Sequence, residues 1–354
     1  MNREMLFFDE ETGGILRCNL CPRRCAIPSG ALGACGVRGN KSGKGLLPFY
    51  GHVTALAVDP IEKKPLFHFR PGSMILSAGF AGCNLRCPFC QNWHISQSTG
   101  AGSQGPHGRQ MSPNDIISAA LHENSPSIAY TYSEPLVHAE FLLDCMALAR
   151  RHGIANVLVT NGCANGEAAR EILALTDAAN IDLKCFSAES YAKALGGGDP
   201  NMFQTVLEFI RLACSMGVHV EVTTLIVPGL NDSAEELDSC AGFVASLASH
   251  GRCGEIPWHL SAYHPEYRWN APPTDPALLL RTAQRAREKL KFVYTGNIPG
   301  ETNDTACPHC GVILVRRRGY RTDTPALAAP QGGEAFFRCA QCGGETPVFF
   351  NFFA

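Results

Sequence analysis

No stretch of this chain is apolar over the roughly 18 residues that a membrane-spanning helix requires. The opening residues, MNREMLFFDEETGG, lack the apolar core of a secretory signal. Neither sign of charge is in excess: 30 Lys and Arg stand against 32 Asp and Glu, a formal net charge of -2. That balance gives no general reason to expect nucleic acid or an acidic membrane as a partner. The expected location is cytoplasmic, with neither nucleic acid nor membrane among the partners. Charged residues are sparse at 18% while hydrophobic ones reach 45%, which suits a globular chain with a sizeable core. A length of 354 residues leaves room for about two to three domains.

What the chain has in excess is cysteine. Seventeen of them, an odd number without an export signal, argue against a disulfide framework. Eleven fall into three groups: Cys18, Cys21, Cys25 and Cys35; Cys83, Cys87 and Cys90; and Cys307, Cys310, Cys339 and Cys342. In a reducing compartment such groups read as metal-thiolate ligands. The other six, Cys145, Cys163, Cys185, Cys214, Cys240 and Cys253, are scattered and expected as small core residues.

Residues 1–70 form a Cys-rich N-terminal extension punctuated by Gly and Pro. The apolar run Met74-Ile-Leu-Ser-Ala-Gly-Phe80 reads as a buried strand ending at the central cysteines, and from there strands and helices alternate. Strands are expected over 127–132, 156–160, 180–184, 218–227, 258–263 and 291–295. Helices are expected over about 113–123, 136–152, 166–176, 201–216 and 277–290, with another from Ser233. Ser112 before Pro113 is a helix start, and Ser233-Ala-Glu-Glu236 a capping box. This alternation implies an α/β fold with a parallel sheet and right-handed crossovers. Six or seven units fall short of a closed eight-stranded barrel. The expectation for residues 71–300 is a partial (β/α)6-type barrel of parallel strands, with an open sheet as the alternative. Residues 301–354, rich in paired Cys, Arg and Gly, read as a separate small module.

The segment Cys83-Asn-Leu-Arg-Cys87-Pro-Phe-Cys90 has the spacing C-x3-C-x2-C. Three thiolates within eight residues can ligate three irons of a cubane cluster and leave the fourth open. An open position is where a metal centre acquires chemistry. The loop follows the first strand, where parallel α/β architectures place their ligands. With Phe89 before the last cysteine, it resembles the signature of the radical S-adenosylmethionine superfamily. The resemblance implies a 4Fe–4S cluster on Cys83, Cys87 and Cys90, with the amino and carboxylate groups of S-adenosyl-L-methionine on the open iron. It further implies reductive cleavage to methionine and a 5′-deoxyadenosyl radical that abstracts hydrogen from a substrate. A reductant such as flavodoxin or ferredoxin is the implied partner. The plain alternative for the three thiolates is a structural zinc site completed by His94.

Within that superfamily, most of residues 15–300 resembles the pyruvate formate-lyase activating enzymes, and most closely the AmmeMemoRadiSam system radical enzymes. Tyr130-Thr-Tyr-Ser-Glu-Pro135 stands where activating enzymes carry Gly-Gly-Glu, a motif that meets the cofactor's amino group. Glu134 is kept, while Tyr132 and Ser133 replace the glycines. The resemblance makes Ser133 and Glu134 candidate cofactor contacts, although Ser-Glu-Pro is also an ordinary helix start. Val159-Thr-Asn-Gly162 resembles the family's Asp-Thr-Asn-Gly, but Val159 removes the acid, so no cation or ribose role carries over. Asp182-Leu-Lys184 matches the family and implies a place beside the cofactor for Asp182 and Lys184. At period two they share a strand face, where they hold either ribose hydroxyls or each other.

Thr223-Thr-Leu-Ile-Val-Pro-Gly-Leu-Asn-Asp232 and Ala262-Tyr-His264-Pro resemble the family's fifth and sixth strand segments. His264 is then a candidate adenosyl contact or a plain structural histidine. In Asp59-Pro-Ile-Glu-Lys-Lys-Pro-Leu-Phe-His68, Lys63 and Lys64 either face an anionic group or form a solvated basic turn. Gly196-Gly-Gly198 lacks the surroundings of a phosphate loop and reads as flexible.

Cys307-Pro-His-Cys310-Gly and Cys339-Ala-Gln-Cys342-Gly form two C-x2-C-G knuckles separated by 28 residues, a zinc-ribbon-like pattern with a closed structural Zn2+ site. A module this small needs such a staple. An accessory iron centre, rubredoxin-like iron included, is the alternative. Cys18-x2-Cys21-x3-Cys25-x9-Cys35 does not match the bacterial ferredoxin run. Zn2+ is the expectation there and a second iron–sulfur cluster the alternative, since spacing alone does not choose. The resulting reading is a radical enzyme acting on an unidentified protein or small-molecule substrate. An iron–sulfur electron-transfer protein without S-adenosylmethionine chemistry, and a zinc scaffold, are the competing readings.

Overall fold

A computed structural model describes residues 3–99, 105–196, 198–199, 201–249, 251–300, 302–330 and 336–349. Its main sheet contains β1 (His52–Pro60), β2 (Met74–Phe80), β3 (Arg109–Gln110), β4 (Ser127–Thr131), β5 (Ala155–Thr160), β6 (Ala178–Asp182), β7 (His219–Ile226), β8 (Trp258–Ala262) and β9 (Val293–Gly296). Their order is β9-β8-β7-β6-β5-β4-β2-β1-β3. The run from β2 through β9 is parallel throughout. Helices Pro113–His122, Ala139–Arg151, Gly166–Leu173, Asn201–Ser215, Ala234–Ser246 and Pro276–Ala286 connect these strands in turn. Six strand–helix units and a last strand result, as the alternation implies. Among the described residues β9 pairs with β8 alone, so the sheet stays open. Residues just past β2, β4 and β5 and residues within β6 to β9 nevertheless line one cavity. The sheet must therefore curl around that cavity as a partial barrel does.

The central strands are covered on both faces. All five residues of β4 are buried, and β6 carries the buried and mostly apolar Ala-Ala-Asn-Ile before its terminal Asp182. Parallel strands flanked by helices require such near-continuous apolar runs. At the helix starts, Ser112 and Asp115 exchange both bonds of a capping box. Ser233 makes only half of the expected box. Its hydroxyl accepts from the Glu236 N–H at 3.2 Å, but the Glu236 carboxylate accepts from the Phe186 N–H at 2.6 Å instead of turning back. That bond pins the loop leaving β6.

Residues 52–60 depart from the expectation of an unpatterned extension. They form β1, antiparallel to β2 over most of its length. The scattered cysteines Cys145, Cys163, Cys185, Cys214 and Cys240 are buried as expected, and the side chain of Cys253 lies outside the described ones.

The C-terminal stretch folds as two three-stranded antiparallel sheets. It is docked on residues 62–70. Arg317 donates to the Phe67 carbonyl at 2.5 Å and lies 4.2 Å over the Phe67 ring, Thr322 donates to Glu62 at 2.8 Å, and the Phe349 N–H donates to the His68 carbonyl at 2.6 Å. Among the described residues, no helix is long and apolar enough to cross a membrane.

Candidate functional site

The strand ends open onto a cavity of about 630 Å³, lined by Cys83, Cys87 and Cys90 together with Ser133, Glu134, Asp182 and Lys184. The cysteine loop is rigidly set. The Arg86 N–H donates to the Leu195 carbonyl at 2.7 Å, and its guanidinium donates to the Cys83 carbonyl at 3.0 Å and to the Ala34 carbonyl. Gly196, read from sequence as a flexible glycine, has φ +63° and lies where an added Cβ would come within 2.6 Å of the Arg86 Cβ. Its task is close approach to the cysteine loop, which no larger residue allows.

Donors surround the sulfurs. The Leu85 N–H reaches Cys83 Sγ at 3.3 Å, Asn161 Nδ2 reaches it at 3.8 Å, and Ser96 Oγ lies 3.3 Å from Cys90 Sγ. Burial pushes the Cys87 thiol up to about 12 and the Cys83 thiol well above its usual value. Left to themselves these groups stay protonated; metal coordination is what replaces such protons. His94 is exposed and not among the lining residues, so the alternative of zinc completed by His94 gains no support. Three cysteines with sulfur-directed donors, facing a roomy cavity, fit a cluster that keeps one iron open.

Glu134 is buried at the end of β4. Thr160 Oγ1 donates to it at 2.6 Å, the Asn161 N–H at 2.8 Å and the Leu136 N–H at 3.0 Å. Burial raises its carboxyl to about 7, with these three donors pulling the other way. Asn161 also donates to Asn84 at 2.8 Å, so one residue joins the carboxylate to the cysteine loop. Ser133 donates to the Phe80 carbonyl at 2.7 Å.

Tyr132 has φ 70°, the left-handed conformation that glycine adopts without cost. A glycine-type backbone is thus present without the glycine. The tyrosine is held there by its hydroxyl, which donates to Asp59 at 2.7 Å, and by its ring, 4.9 Å from Lys64 Nζ. Asp59 also pairs with Lys64 at 2.7 Å and Lys63 at 2.9 Å. Despite burial, which works against its charge, Lys64, Tyr132 and Lys63 hold the Asp59 carboxyl well below the usual range. The solvated basic turn expected at 63–64 is therefore corrected for Lys64, whose side chain is only 3% exposed.

Asp182 and Lys184 pair at 2.8 Å with both side chains on the cavity. Burial opposes the Lys184 charge, but Asp182 holds its ammonium above the ordinary lysine range. Asn231 fixes the neighbouring strand ends by donating to the carbonyls of Lys184 at 2.6 Å and Leu225 at 2.8 Å. His264 is exposed, bonded to the Asn297 carbonyl at 3.2 Å, and is not among the lining residues.

The cavity also holds residues that sequence reasoning missed. His259 lines the cavity and bonds at 2.6 Å to Glu221, which also meets His219 at 3.0 Å and the N–H of His68 at 2.7 Å. The legible signal was a charged residue inside the apolar run Val220-Glu-Val222. Arg317, Gly319 and Tyr320 bring the C-terminal stretch into the same lining.

The outer cysteines differ from one another. Cys307 and Cys342 lie 3.8 Å apart and Cys310 and Cys339 3.7 Å, with all four sulfurs within 4.8 Å of one another. A tetrahedral ion with Zn–S bonds of about 2.3 Å spaces its thiolates about 3.8 Å apart, so this set fits zinc. Cys18, Cys21, Cys25 and Cys35 line a common pocket with Arg23, Arg24, Arg38 and Asn84.

A curled parallel sheet whose strand ends gather three cysteines, a buried carboxylate and an ion pair around one cavity has the donor set and the room that thiolate-bound metal chemistry needs. Residues 79–244 match the Radical SAM superfamily model. An uncharacterized protein of Methanocaldococcus jannaschii is 41% identical over 349 residues, covering 98% of this chain and 99% of that protein. The pyruvate formate-lyase-activating enzyme of Clostridium pasteurianum is 26% identical over 186 residues, 51% of this chain and 73% of the enzyme. Among solved structures, a radical SAM methyltransferase from Sphaerobacter thermophilus aligns with a TM-score of 0.49 at 13% identity, covering 64% of this chain and 67% of that one. The chain belongs to the radical S-adenosylmethionine superfamily and is an enzyme related to the pyruvate formate-lyase activating enzymes. Membership implies an iron–sulfur cluster and S-adenosylmethionine.

Proposed function

We propose that this enzyme cleaves S-adenosylmethionine at a cluster held by Cys83, Cys87 and Cys90, and abstracts hydrogen from a substrate bound in the adjoining cavity. The observation that carries this reading is the convergence of the three cysteines, Glu134 and the Asp182–Lys184 pair on one cavity of about 630 Å³. When bound, the cluster and S-adenosylmethionine supply one-electron cleavage of a carbon–sulfur bond to methionine and a 5′-deoxyadenosyl radical. Glu134 offers a carboxylate to the cofactor's ammonium from a position fixed by Thr160 and Asn161. Asp182 and Lys184 present an acceptor and a donor to its ribose or carboxylate. The Leu85, Asn161 and Ser96 donors hold the sulfurs in place and temper their charge.

Arg317, Gly319 and Tyr320 line the same cavity and so bear on which substrate enters. Their stretch is stapled by Zn2+ on Cys307, Cys310, Cys339 and Cys342. A low-potential donor of the flavodoxin or ferredoxin class supplies the electron. The test uses anaerobically reconstituted, dithionite-reduced protein, with 5′-deoxyadenosine and methionine quantified after addition of S-adenosylmethionine. Formation of both supports the reading. No product from protein with a full, reducible cluster contradicts it and favours electron transfer without this chemistry.

A further inference from the structure

We infer that Cys18, Cys21, Cys25 and Cys35 hold a second iron–sulfur cluster, placed to pass an electron to the loop that carries Cys83, Cys87 and Cys90. This rests on the central cluster proposed above, and it replaces the zinc expectation because of how the molecule's own cysteine sets are spaced.

The C-terminal set shows what a single-ion site looks like in this chain: four sulfurs within 4.8 Å of one another. Among the described residues, no other three Cys, His, Asp or Glu ligand atoms come that close together. The central three do not, although their residues fit a cluster, because each thiolate of a cubane sits on its own iron. The N-terminal four share the wider arrangement. They nonetheless line one pocket, with Leu20, Ile27 and Val137 supplying apolar wall. Four converging thiols spaced too widely for one tetrahedral ion match a cubane with every iron ligated. Such a closed cluster suits electron transfer and not substrate chemistry.

The pocket is equipped for an anionic thiolate cluster. Arg23, Arg24 and Arg38 line it. Arg38 is 1% exposed, its Nη1 paired with Glu140 at 2.8 Å, while its buried Nε has no hydrogen-bond partner among the described residues. The same guanidinium lies within reach of the Cys18 sulfur, so a buried N–H donor faces a thiol there, and leaving it unmet costs about 1–3 kcal/mol. The Ala34 N–H already reaches Cys25 Sγ at 3.4 Å.

Position supplies the function. Asn84 walls the N-terminal pocket and is the residue next to Cys83. Arg23 donates to the Asn84 carbonyl at 2.7 Å, and Arg86 of the cysteine loop donates to the Ala34 carbonyl beside Cys35. Gly82, preceding Cys83, is so close that an added Cβ would lie 2.5 Å from the Cys35 carbonyl oxygen. The two cysteine loops therefore abut through backbone. Cys25 is partly exposed and Arg24 exposed, which opens the other side of the pocket to an outside donor. In the transfer, one electron leaves the N-terminal cluster, which is oxidised, and reduces the central one. A one-electron donor of the flavodoxin or ferredoxin class then restores the first, and no atom or proton changes place.

The test is metal and sulfide analysis with electron paramagnetic resonance on anaerobically reconstituted, dithionite-reduced full chain. It compares wild type with the triple variant Cys83→Ala, Cys87→Ala, Cys90→Ala. Wild type is expected to carry about eight iron, about eight sulfide and about one zinc, and the triple variant about four iron with a reduced-cluster signal that S-adenosylmethionine does not alter. Adding Cys18→Ala and Cys21→Ala to the triple variant is expected to remove that remaining iron and signal. About four iron and two zinc in wild type, with all iron lost in the triple variant, overturns the inference and leaves the central cluster standing. About four iron in wild type, all kept in the triple variant, does the reverse: it supports the N-terminal cluster and removes the central one. Because the triple variant leaves Cys18 to Cys35 untouched, its iron content is informative however well an N-terminal variant folds.

Discussion

The C-terminal knuckles bring their sulfurs to 3.7 and 3.8 Å, whereas Cys83, Cys87 and Cys90 stand apart around a cavity of about 630 Å³. Both sets are built from closely spaced cysteines, and the surroundings decide their use. The knuckles converge on one point, and two of their cysteines, Cys307 and Cys339, belong to the small apolar cluster with Leu314, Val315, Ala326 and Val348. There the proposed ion would complete a core too small to stand alone. The central loop is instead tied to Leu195, Ala34 and Asn161 by hydrogen bonds that hold its shape from the protein side. A site that is already shaped can leave one coordination position for chemistry.

This contrast is open to attack, and the largest effect belongs to the module. Cys339→Ser should release its zinc and unfold residues 303–349, seen as loss of about one zinc per chain and rapid proteolysis confined to that stretch. If the module resists protease without zinc, its core is sufficient and the contrast fails. At the central site, Glu134→Gln keeps the shape and removes the charge. S-adenosylmethionine Kd should rise about tenfold to a hundredfold, read by equilibrium dialysis, because one charge-assisted bond is lost. An unchanged Kd would remove Glu134 from the cofactor site.

The protein-held side should also respond to acid. His138 bonds to the carbonyl of Ala81, two residues before Cys83, at 2.7 Å. Burial lowers its ring to about 4 from the usual 6.5, though the Ala81 bond works in the other direction. The unfolded chain therefore takes up the proton first as pH falls. Stability present above about pH 6.5 should be lost progressively toward pH 4, by roughly 3 kcal/mol. Urea unfolding of metal-free protein at pH 7 and pH 4.5, followed by tryptophan fluorescence, checks this, and His138→Gln should flatten the slope. The smallest effect is Tyr132→Phe, which removes the bond to Asp59. A loss of about 1–2 kcal/mol in the same urea assay is expected, and no loss would mean that the left-handed tyrosine is held by its ring alone.

Much of this architecture was legible in order along the chain. Each parallel strand from Met74–Phe80 to Val293–Gly296 lies within two residues of where apolar runs and helix starts place it, because burial on both faces writes itself into local composition. His52–Pro60 escaped because it has mixed burial. In the site, the cysteines and Glu134 were legible from spacing and neighbours. Their partners were not, since a side chain's choice across the fold leaves no local trace. Tyr132 finds Asp59 across 73 residues, His259 finds Glu221 across 38, and Arg317 finds Phe67 across 250. Nor does spacing disclose sulfur separation, so three cysteine sets that look alike in sequence part company only in space.

The most direct measurement compares 5′-deoxyadenosine formation by Cys87→Ala and Cys310→Ala, each anaerobically reconstituted, reduced and given S-adenosylmethionine. The account predicts none from Cys87→Ala and continued formation from Cys310→Ala, which loses its zinc but keeps the central iron. Product from Cys87→Ala, or its absence from Cys310→Ala with the central cluster intact, would contradict the assignment of the chemistry to the three-cysteine cavity.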